Sequence, residues 1–442
     1  MTKVGFISLG CSKNLVDTEV MIHKLHSAGF ELTPDESEAE IIVINTCGFI
    51  ESAKKESIES ILDAARLKEL GSCRHIIATG CLVERYRDEV MRELPEIDAI
   101  IGVGSLCDIA DACKAVMRGE KYSSFRDKEA SVLGGERILT TEPHTAYIKV
   151  SEGCDNCCTY CAIPLIRGKH RSRTVEDIVA EAKELESRGV KEVNLIAQDT
   201  TRYGLDIYGE YSLARLVKAI TDETSIPWIR LLYCYPDKIT DELIEEFRTN
   251  PRLVKYMDIP IQHISDKVLR AMNRHGGKAL IVDAVKKLRE SVPGIVLRTT
   301  AMVGFPGESD EDFVELCEFV KEARFDRFGA FTFSPEEGTP AAEMDCQIDE
   351  QQKQDRYDTL MQTQLLISEE QNAAKIGITL TVLCDGYDAD ENIYYGRSYA
   401  DAPDVDGKVY FTSERKIAPG DFVSVKITEA LDYDLVGEEG EW

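Results

Sequence analysis

Cys154, Cys158 and Cys161 stand in a C-x3-C-x2-C spacing within the run Ser151-Glu-Gly-Cys-Asp-Asn-Cys-Cys-Thr-Tyr-Cys161. Three thiolates so placed can hold three irons of a cubane cluster and leave the fourth open. An open iron can chelate S-adenosylmethionine (SAM) through its amino and carboxylate groups. One electron then cleaves the sulfonium, and the 5′-deoxyadenosyl radical takes hydrogen from carbon. That chemistry belongs to the cofactor, and the protein contributes position and exclusion of water. Cys157 makes the run a near-palindrome, so Cys154, Cys157, Cys158 and Cys161 could instead close a four-thiolate zinc site. Zinc ligands more often come as pairs from two loops, and adjacent cysteines do not readily face one ion. The cluster reading is preferred, with Cys157 a spare thiol.

A separate set of three, Cys11, Cys47 and Cys81, follows three strand-like runs at Leu9-Gly10-Cys11, Asn45-Thr46-Cys47 and Thr79-Gly80-Cys81. In a doubly wound sheet the C-terminal ends of parallel strands share one edge, where ligands bind. Three convergent thiolates again imply an iron–sulfur cluster, and Gly10, Gly48 and Gly80 would let it approach the backbone. Cys73, Cys107, Cys113, Cys234, Cys317, Cys346 and Cys384 read as core or incidental residues.

Stepping outward, residues 1–118 alternate strands (Val4–Leu9, Ile41–Thr46, His75–Thr79, Ala99–Val103) with helices such as Leu15–Leu25 and Ser57–Leu67, an α/β pattern implying a doubly wound parallel sheet. Residues 119–145, without a clean period, are expected to be a linker. Residues 146–348 hold six further strands: Ala146–Val150, Val193–Ala197, Trp228–Tyr233, Met257–Ile261, Val296–Val303 and Phe328–Phe333. Six β/α units make a partial (β/α)6 barrel with its chemistry at the strands' C-terminal ends. Thr174 caps a helix whose apolar face is Val175, Ile178, Val179, Ala182 and Leu185. A connecting helix is expected over 349–375, and 376–442 reads as a small five-stranded, OB-like β-barrel.

The chain has 14 cysteines and a net charge of −28. So many thiols without a secretory leader point to metal ligation rather than disulfides. No apolar run approaches the roughly 18–20 residues of a membrane span, and Met1–Cys11 lacks the pattern of a signal peptide. A cytoplasmic protein is expected. The charge disfavours binding to a phosphate backbone.

The cysteine run resembles the radical SAM superfamily, whose motif carries an aromatic before the last cysteine, here Tyr160. The stretch Gly153–Arg173, with Ala162-Ile-Pro-Leu-Ile-Arg-Gly, resembles the methylthiotransferase branch. The order of three-cysteine domain, radical SAM barrel and C-terminal barrel of TRAM type is similar to that family over nearly the whole chain. Leu9-Gly-Cys-Ser-Lys-Asn-Leu-Val-Asp17, Asn45-Thr-Cys-Gly-Phe-Ile50 and Ile196-Ala-Gln-Asp-Thr-Thr-Arg-Tyr-Gly204 resemble its ribosomal-protein type. The transfer-RNA type more typically has Asn where Asp199 stands, and Ser12 departs from the Pro or Gln of the pattern.

The resemblance implies two [4Fe-4S] clusters and SAM: Cys154, Cys158 and Cys161 serving SAM cleavage, and Cys11, Cys47 and Cys81 holding an auxiliary, sulfur-bearing cluster. It implies conversion of C–H to C–S–CH3 on the β-carbon of an aspartate in small-subunit ribosomal protein twelve. The alternatives are a transfer-RNA adenosine methylthiotransferase and a non-catalytic iron–sulfur carrier. The implied partners are a basic ribosomal protein and an unidentified electron donor, with neither nucleic acid nor membrane. Tyr160, Gln198, and Val303 and Gly304 of the turn Val303–Glu308 are the candidate SAM contacts, and His263 could line the cavity. The basic island Arg167–Arg173 reads equally as an anion holder or as a surface run. Residues 376–442 carry 15 Asp and Glu against 5 Lys and Arg. Their clusters, Asp385, Asp388, Asp390 and Glu391, then Asp401, Asp404 and Asp406, are expected to attract a basic protein.

Overall fold

The computed structural model describes residues 2–71, 73–131 and 133–440. Six parallel strands form the N-terminal sheet: β1 (Lys3–Ser8), β2 (Glu31–Leu32), β3 (Ile41–Thr46), β4 (His75–Gly80), β5 (Ala99–Ile101) and β6 (Tyr122–Ser124), in spatial order β2-β1-β3-β4-β5-β6. β3 is buried along its whole length, as its unbroken Ile-Ile-Val-Ile run requires of a strand covered on both faces. One face packs against α1 (Ser12–Ser27) and α5 (Ile109–Met117) through Met21, Leu25, Ile109 and Val116. The other packs against α2 (Glu51–Leu70), α3 (Cys81–Tyr86) and α4 (Asp88–Glu93) through Ile61, Ala64, Val83 and Val90. The expected linker is corrected at its start. Tyr122–Ser124 pairs in parallel with β5, because Tyr-Ser-Ser is too short and polar to show a period yet completes the sheet edge.

The central sheet comprises β7 (Thr145–Lys149), β10 (Glu192–Ile196), β11 (Trp228–Leu231), β12 (Leu253–Asp258), β13 (Val296–Val303) and β14 (Arg327–Thr332), all parallel and ordered β14-β13-β12-β11-β10-β7. The sheet is an open partial barrel. A short ribbon of β8 (Ser151–Glu152) and β9 (Arg171–Ser172) brackets α6 (Ile163–Arg167). Outer helices α7 (Val175–Ser187), α9 (Leu213–Glu223), α10 (Asp241–Thr249), α12 (Gly277–Ser291) and α13 (Asp310–Ala323) bury their apolar faces on the strands, with α8 (Leu205–Tyr208) and α11 (Asp266–Ala271) in the loops. The Thr174 hydroxyl accepts the Asp177 N–H at 3.2 Å, capping α7. β12 begins before the expected Met257 and stops at Asp258, because Pro260 offers no N–H to extend the ladder.

Helix α14 (Glu350–Ala373), capped by Asp349, packs on β14 and α13 and leads into a closed barrel of β15 (Thr379–Asp388), β16 (Ile393–Ser398), β17 (Val409–Thr412), β18 (Phe422–Ala430) and β19 (Leu435–Glu439). Among the described residues no helix is long and apolar enough to cross a membrane.

Charge and aromatic contacts fasten the barrel to the core. Glu192, fully buried, meets both Arg397 and, at 2.9 Å, Arg230. Arg397 also pairs with Asp385 at 2.9 Å, and Arg327 with Asp401 at 2.5 Å. Asp406 accepts from Tyr256 Oη at 2.6 Å, and Asp404 from Tyr147 Oη at 3.0 Å. Trp228 and Phe422 stack edge-on at 5.0 Å. This corrects the reading of the acidic clusters as a docking surface: four of those seven carboxylates bond to groups of the core, and Asp388, Asp390, Glu391 and the edge of Asp404 are exposed. Removing one partner of a buried pair strands the others, at about 3 kcal/mol. Glu192→Gln is therefore expected to lower full-chain stability by about that amount in urea denaturation and to hasten protease cleavage near Ala374–Ile378. A wild-type midpoint would show that packing alone holds the barrel.

Candidate functional site

The first triad is set by the N-terminal sheet. β1, β3 and β4 are adjacent and parallel, so their C-terminal ends share one edge. Cys11 precedes α1, Cys47 follows β3, and Cys81 opens α3. The glycines let the cysteine loops press on each other. A Cβ on Gly10, at φ +86°, would lie 3.0 Å from Cys47 Sγ, and one on Gly80, at φ +91°, 2.5 Å from the Thr46 carbonyl. Desolvation pushes Cys81 up to about 12, with Arg167 opposing and Cys11 and Cys47 adding to the rise. Desolvation also acts on Cys11, but Lys13, Arg167 and neighbouring N–H groups outweigh it and hold that thiol below its ordinary value.

The second triad lies on the loop from β8 to α6. Gly153, at φ +75°, brings this loop against Lys169, whose carbonyl would stand 2.0 Å from any Cβ there. The Cys154 N–H donates to the Gly168 carbonyl at 3.1 Å, and the Cys161 N–H to the Cys158 carbonyl at 3.0 Å. Cys158 is buried, whereas Cys157, at φ +48°, is exposed. Desolvation raises Cys154 to about 12 and raises Cys161, with Cys158 adding to both rises. Among the described residues no three His, Cys, Asp or Glu side chains converge on a single-ion site. Cubane thiolates, by contrast, each bind a different iron.

Helix α6 joins the triads. Ala162 and Ile166 pack directly on Cys81. At the helix end, buried Arg167 pairs with Asp17 and Glu152, each at 2.9 Å. Lys149 pairs with the same two carboxylates at 2.5 and 2.6 Å, giving two cations and two anions. Arg167 also donates to Asn14 Oδ1 at 2.5 Å and approaches Cys81 Sγ at 3.6 Å. Gln198 donates to Glu152 at 3.0 Å. These four ions line one wall of a cavity of about 490 Å3 between α1, residues 103–135 and the core. Both readings of the basic island are thus corrected at Arg167 and Arg173: each is buried against carboxylates, Arg173 on Asp177 and Glu181. Sequence reading missed Asn14, Asp17, Lys149 and Glu152. The available signal was Asn14 and Asp17 sharing a helix face just after Cys11.

Around the second triad, Tyr160 packs with Phe305, Phe333 and Met272, and Arg274 donates to its hydroxyl at 3.3 Å. Arg274 also lies 4.1 Å over the ring of Tyr235, whose hydroxyl is 3.5 Å from Cys158 Sγ. Asp199, fully buried, accepts from Asn156 at 2.7 Å and pairs with Lys238 at 3.0 Å, steadying the cysteine loop. Val303 is core, and Gly304 is required by packing: a Cβ would lie 2.3 Å from Lys353 Cγ. Glu308 accepts the Phe305 N–H at 3.1 Å and pairs with Arg356 at 3.0 Å.

The open six-stranded barrel with a three-cysteine loop after its first strand defines a radical SAM protein, and the sequence profile of the Radical SAM superfamily matches residues 148–320. Profiles of Uncharacterized protein family UPF0004 and of the TRAM domain match residues 3–102 and 376–439. The chain belongs to the RimO family of ribosomal protein uS12 methylthiotransferases. The protein of that name from Thermoanaerobacter sp. (strain X514) is 49% identical over 441 residues, covering 99% of this chain and 100% of the relative. That from Desulforamulus reducens is 50% identical over 442 residues, 99% of each. Among solved structures, the radical S-adenosylmethionine methyltransferase TsrM from Kitasatospora setae, with cobalamin and a [4Fe-4S] cluster bound, has a TM-score of 0.54 at 14% identity, covering 86% of this chain and 81% of that one. The cobalamin-dependent radical enzyme OxsB has a TM-score of 0.52 at 14% identity, covering 83% and 56%. These two show a shared fold. SAM is the cofactor for which this superfamily is named.

His263, fully buried, accepts the Ser265 N–H on Nδ1 at 3.0 Å, and its Nε2 lies 3.9 Å from Glu308. Desolvation lowers it to about 4, with Asp312 opposing and Arg356 assisting. A depressed folded-state value gives stability that is complete above 6.5 and is lost as pH falls toward 4, worth at most about 3 kcal/mol. His263→Asn should flatten the fall of the urea midpoint over that window. An unchanged slope would assign the acid sensitivity elsewhere.

Proposed function

We propose that this protein is a radical SAM methylthiotransferase that converts C–H to C–S–CH3 on the β-carbon of an aspartate in ribosomal protein uS12. The packing of Cys81 against α6, the helix that leaves the Cys154–Cys161 loop, supports this reading, because it links the two cysteine triads through one short helix. Near-half identity over full length to proteins named for that activity supports it. Cys154, Cys158 and Cys161 would hold the SAM-binding cluster, and Cys11, Cys47 and Cys81 the auxiliary one. When bound, these groups and SAM supply the electron, the hydrogen-abstracting radical and the methylthio group.

The chain's own residues hold the two sites together and keep water out. On one side the Lys149–Asp17–Arg167–Glu152 quartet ties α1 to β7 and α6. On the other, Arg85 of α3 pairs with buried Glu336 at 2.8 Å and donates to the Glu337 carbonyl at 2.6 Å, with Lys54 3.2 Å from Glu336. The N-terminal domain is thus fixed over the open barrel. Tyr160, Arg274 and Tyr235 wall the second triad, and Gln198, held by Glu152, faces the same end of the barrel. A basic substrate suits the exposed acidic residues Asp388, Asp390 and Glu391 and the overall charge of −28. Turnover needs an external electron donor.

Anaerobically reconstituted protein should bind about eight irons, and Cys154, Cys158 and Cys161 changed together to Ala should halve that. Cys157→Ala should keep iron and SAM cleavage. The Cys11, Cys47 and Cys81 triple variant should still form 5′-deoxyadenosine yet leave uS12 unmodified by mass spectrometry. Modified transfer RNA with untouched uS12 would assign the transfer-RNA substrate instead, and absence of 5′-deoxyadenosine from reduced wild type would favour a carrier.

A further inference from the structure

Arg167 belongs to the central domain, but its guanidinium ends against a cysteine of the N-terminal one. Its two terminal nitrogens divide the work. Nη1 meets Asp17 and Glu152 at 2.9 Å each, and Nη2 meets Asn14 Oδ1 at 2.5 Å and Cys81 Sγ at 3.6 Å. The carboxylates therefore lie on the far side of the guanidinium from Cys81, and the face turned to sulfur is a bare N–H donor. We propose that Arg167 is a positioning residue for the auxiliary cluster, a fixed cation supplied by the radical SAM domain that raises that cluster's reduction potential and holds it toward the core. The inference rests on the reading that Cys11, Cys47 and Cys81 hold a cluster.

Three features carry it. Arg167 is 2% exposed, and Asp17, Glu152 and Asn14 hold three of its other N–H groups. It is permanently charged, because a guanidinium is not deprotonated in a protein. Cys81 Sγ lies 3.5 Å from Asn14 Oδ1 as a thiol donor. As a metal-bound thiolate it has no proton to give, and the Arg167 N–H becomes its partner. A reduced cluster carries one more negative charge, so a donor and a cation beside a ligand sulfur favour the reduced state.

The test is an EPR-monitored redox titration of reconstituted full-length protein without SAM. Arg167→Met should move the auxiliary cluster to lower potential and leave the SAM-binding cluster where it was. Methylthio product per 5′-deoxyadenosine should fall about tenfold, the lower end of effects seen for groups behind metal ligands. Arg167→Lys, which keeps the charge without the fork, should recover part of the potential. Because Arg167→Met leaves one cation against two buried carboxylates, the charge-balanced Asp17→Asn/Arg167→Met variant is titrated beside it. Wild-type potentials in a variant carrying both clusters would overturn the inference and leave the two-cluster reading standing. Loss of the auxiliary cluster from both variants would overturn it in favour of a purely structural role. Wild-type iron content in the Cys11, Cys47 and Cys81 triple variant would instead show that the two-cluster reading had failed.

Discussion

Two carboxylates and two cations, Asp17, Glu152, Lys149 and Arg167, are sealed between the N-terminal sheet and the barrel, each at most 6% exposed. Buried ions cost several kcal/mol each in lost hydration, and mutual pairing repays that only in good geometry. Here each cation meets both anions within 3 Å. Asp17 comes from α1 and the other three from β7, β8 and α6, so sliding one domain against the other would leave bare charge in the interior. The relative position of the two cysteine triads depends on this constraint.

The same device recurs around the molecule. Arg137, from the segment joining the domains, pairs with Glu19 of α1 at 2.5 Å and Glu181 of α7 at 2.8 Å. Arg85 and Glu336 close the opposite side. Glu192 clamps the C-terminal barrel through two arginines. A chain with an excess of 28 negative charges thus places many of its cations at domain boundaries, where they bind acidic residues of the next domain. Part of the acidity that looks like an outer surface in sequence, Asp385, Asp401 and Asp406 among it, is mortar.

Secondary structure was legible because it depends on local signals. β3 and β13 were readable to the residue, and the α7 cap from Thr174 and the apolar residues after it. Contacts across domains were not legible. Asp401 and Asp406 look like turn acids until Arg327 and Tyr256 stand over them, and Arg167 looks like part of a solvated basic run until α1 covers it. Gly304 sits in a strand-to-helix turn for lack of space beneath Lys353, 49 residues on, which no local pattern announces. β6 was hidden for the opposite reason, being a three-residue polar strand whose pairing is decided by its neighbour.

The proposed function makes one physical demand above all: two clusters close enough to share a substrate between them. Pulsed dipolar EPR on fully reduced, doubly reconstituted protein tests it directly. A magnetic interaction between two paramagnetic centres is expected, and it should vanish when Cys11, Cys47 and Cys81 are replaced. Two non-interacting spectra that simply add would contradict the proposed function.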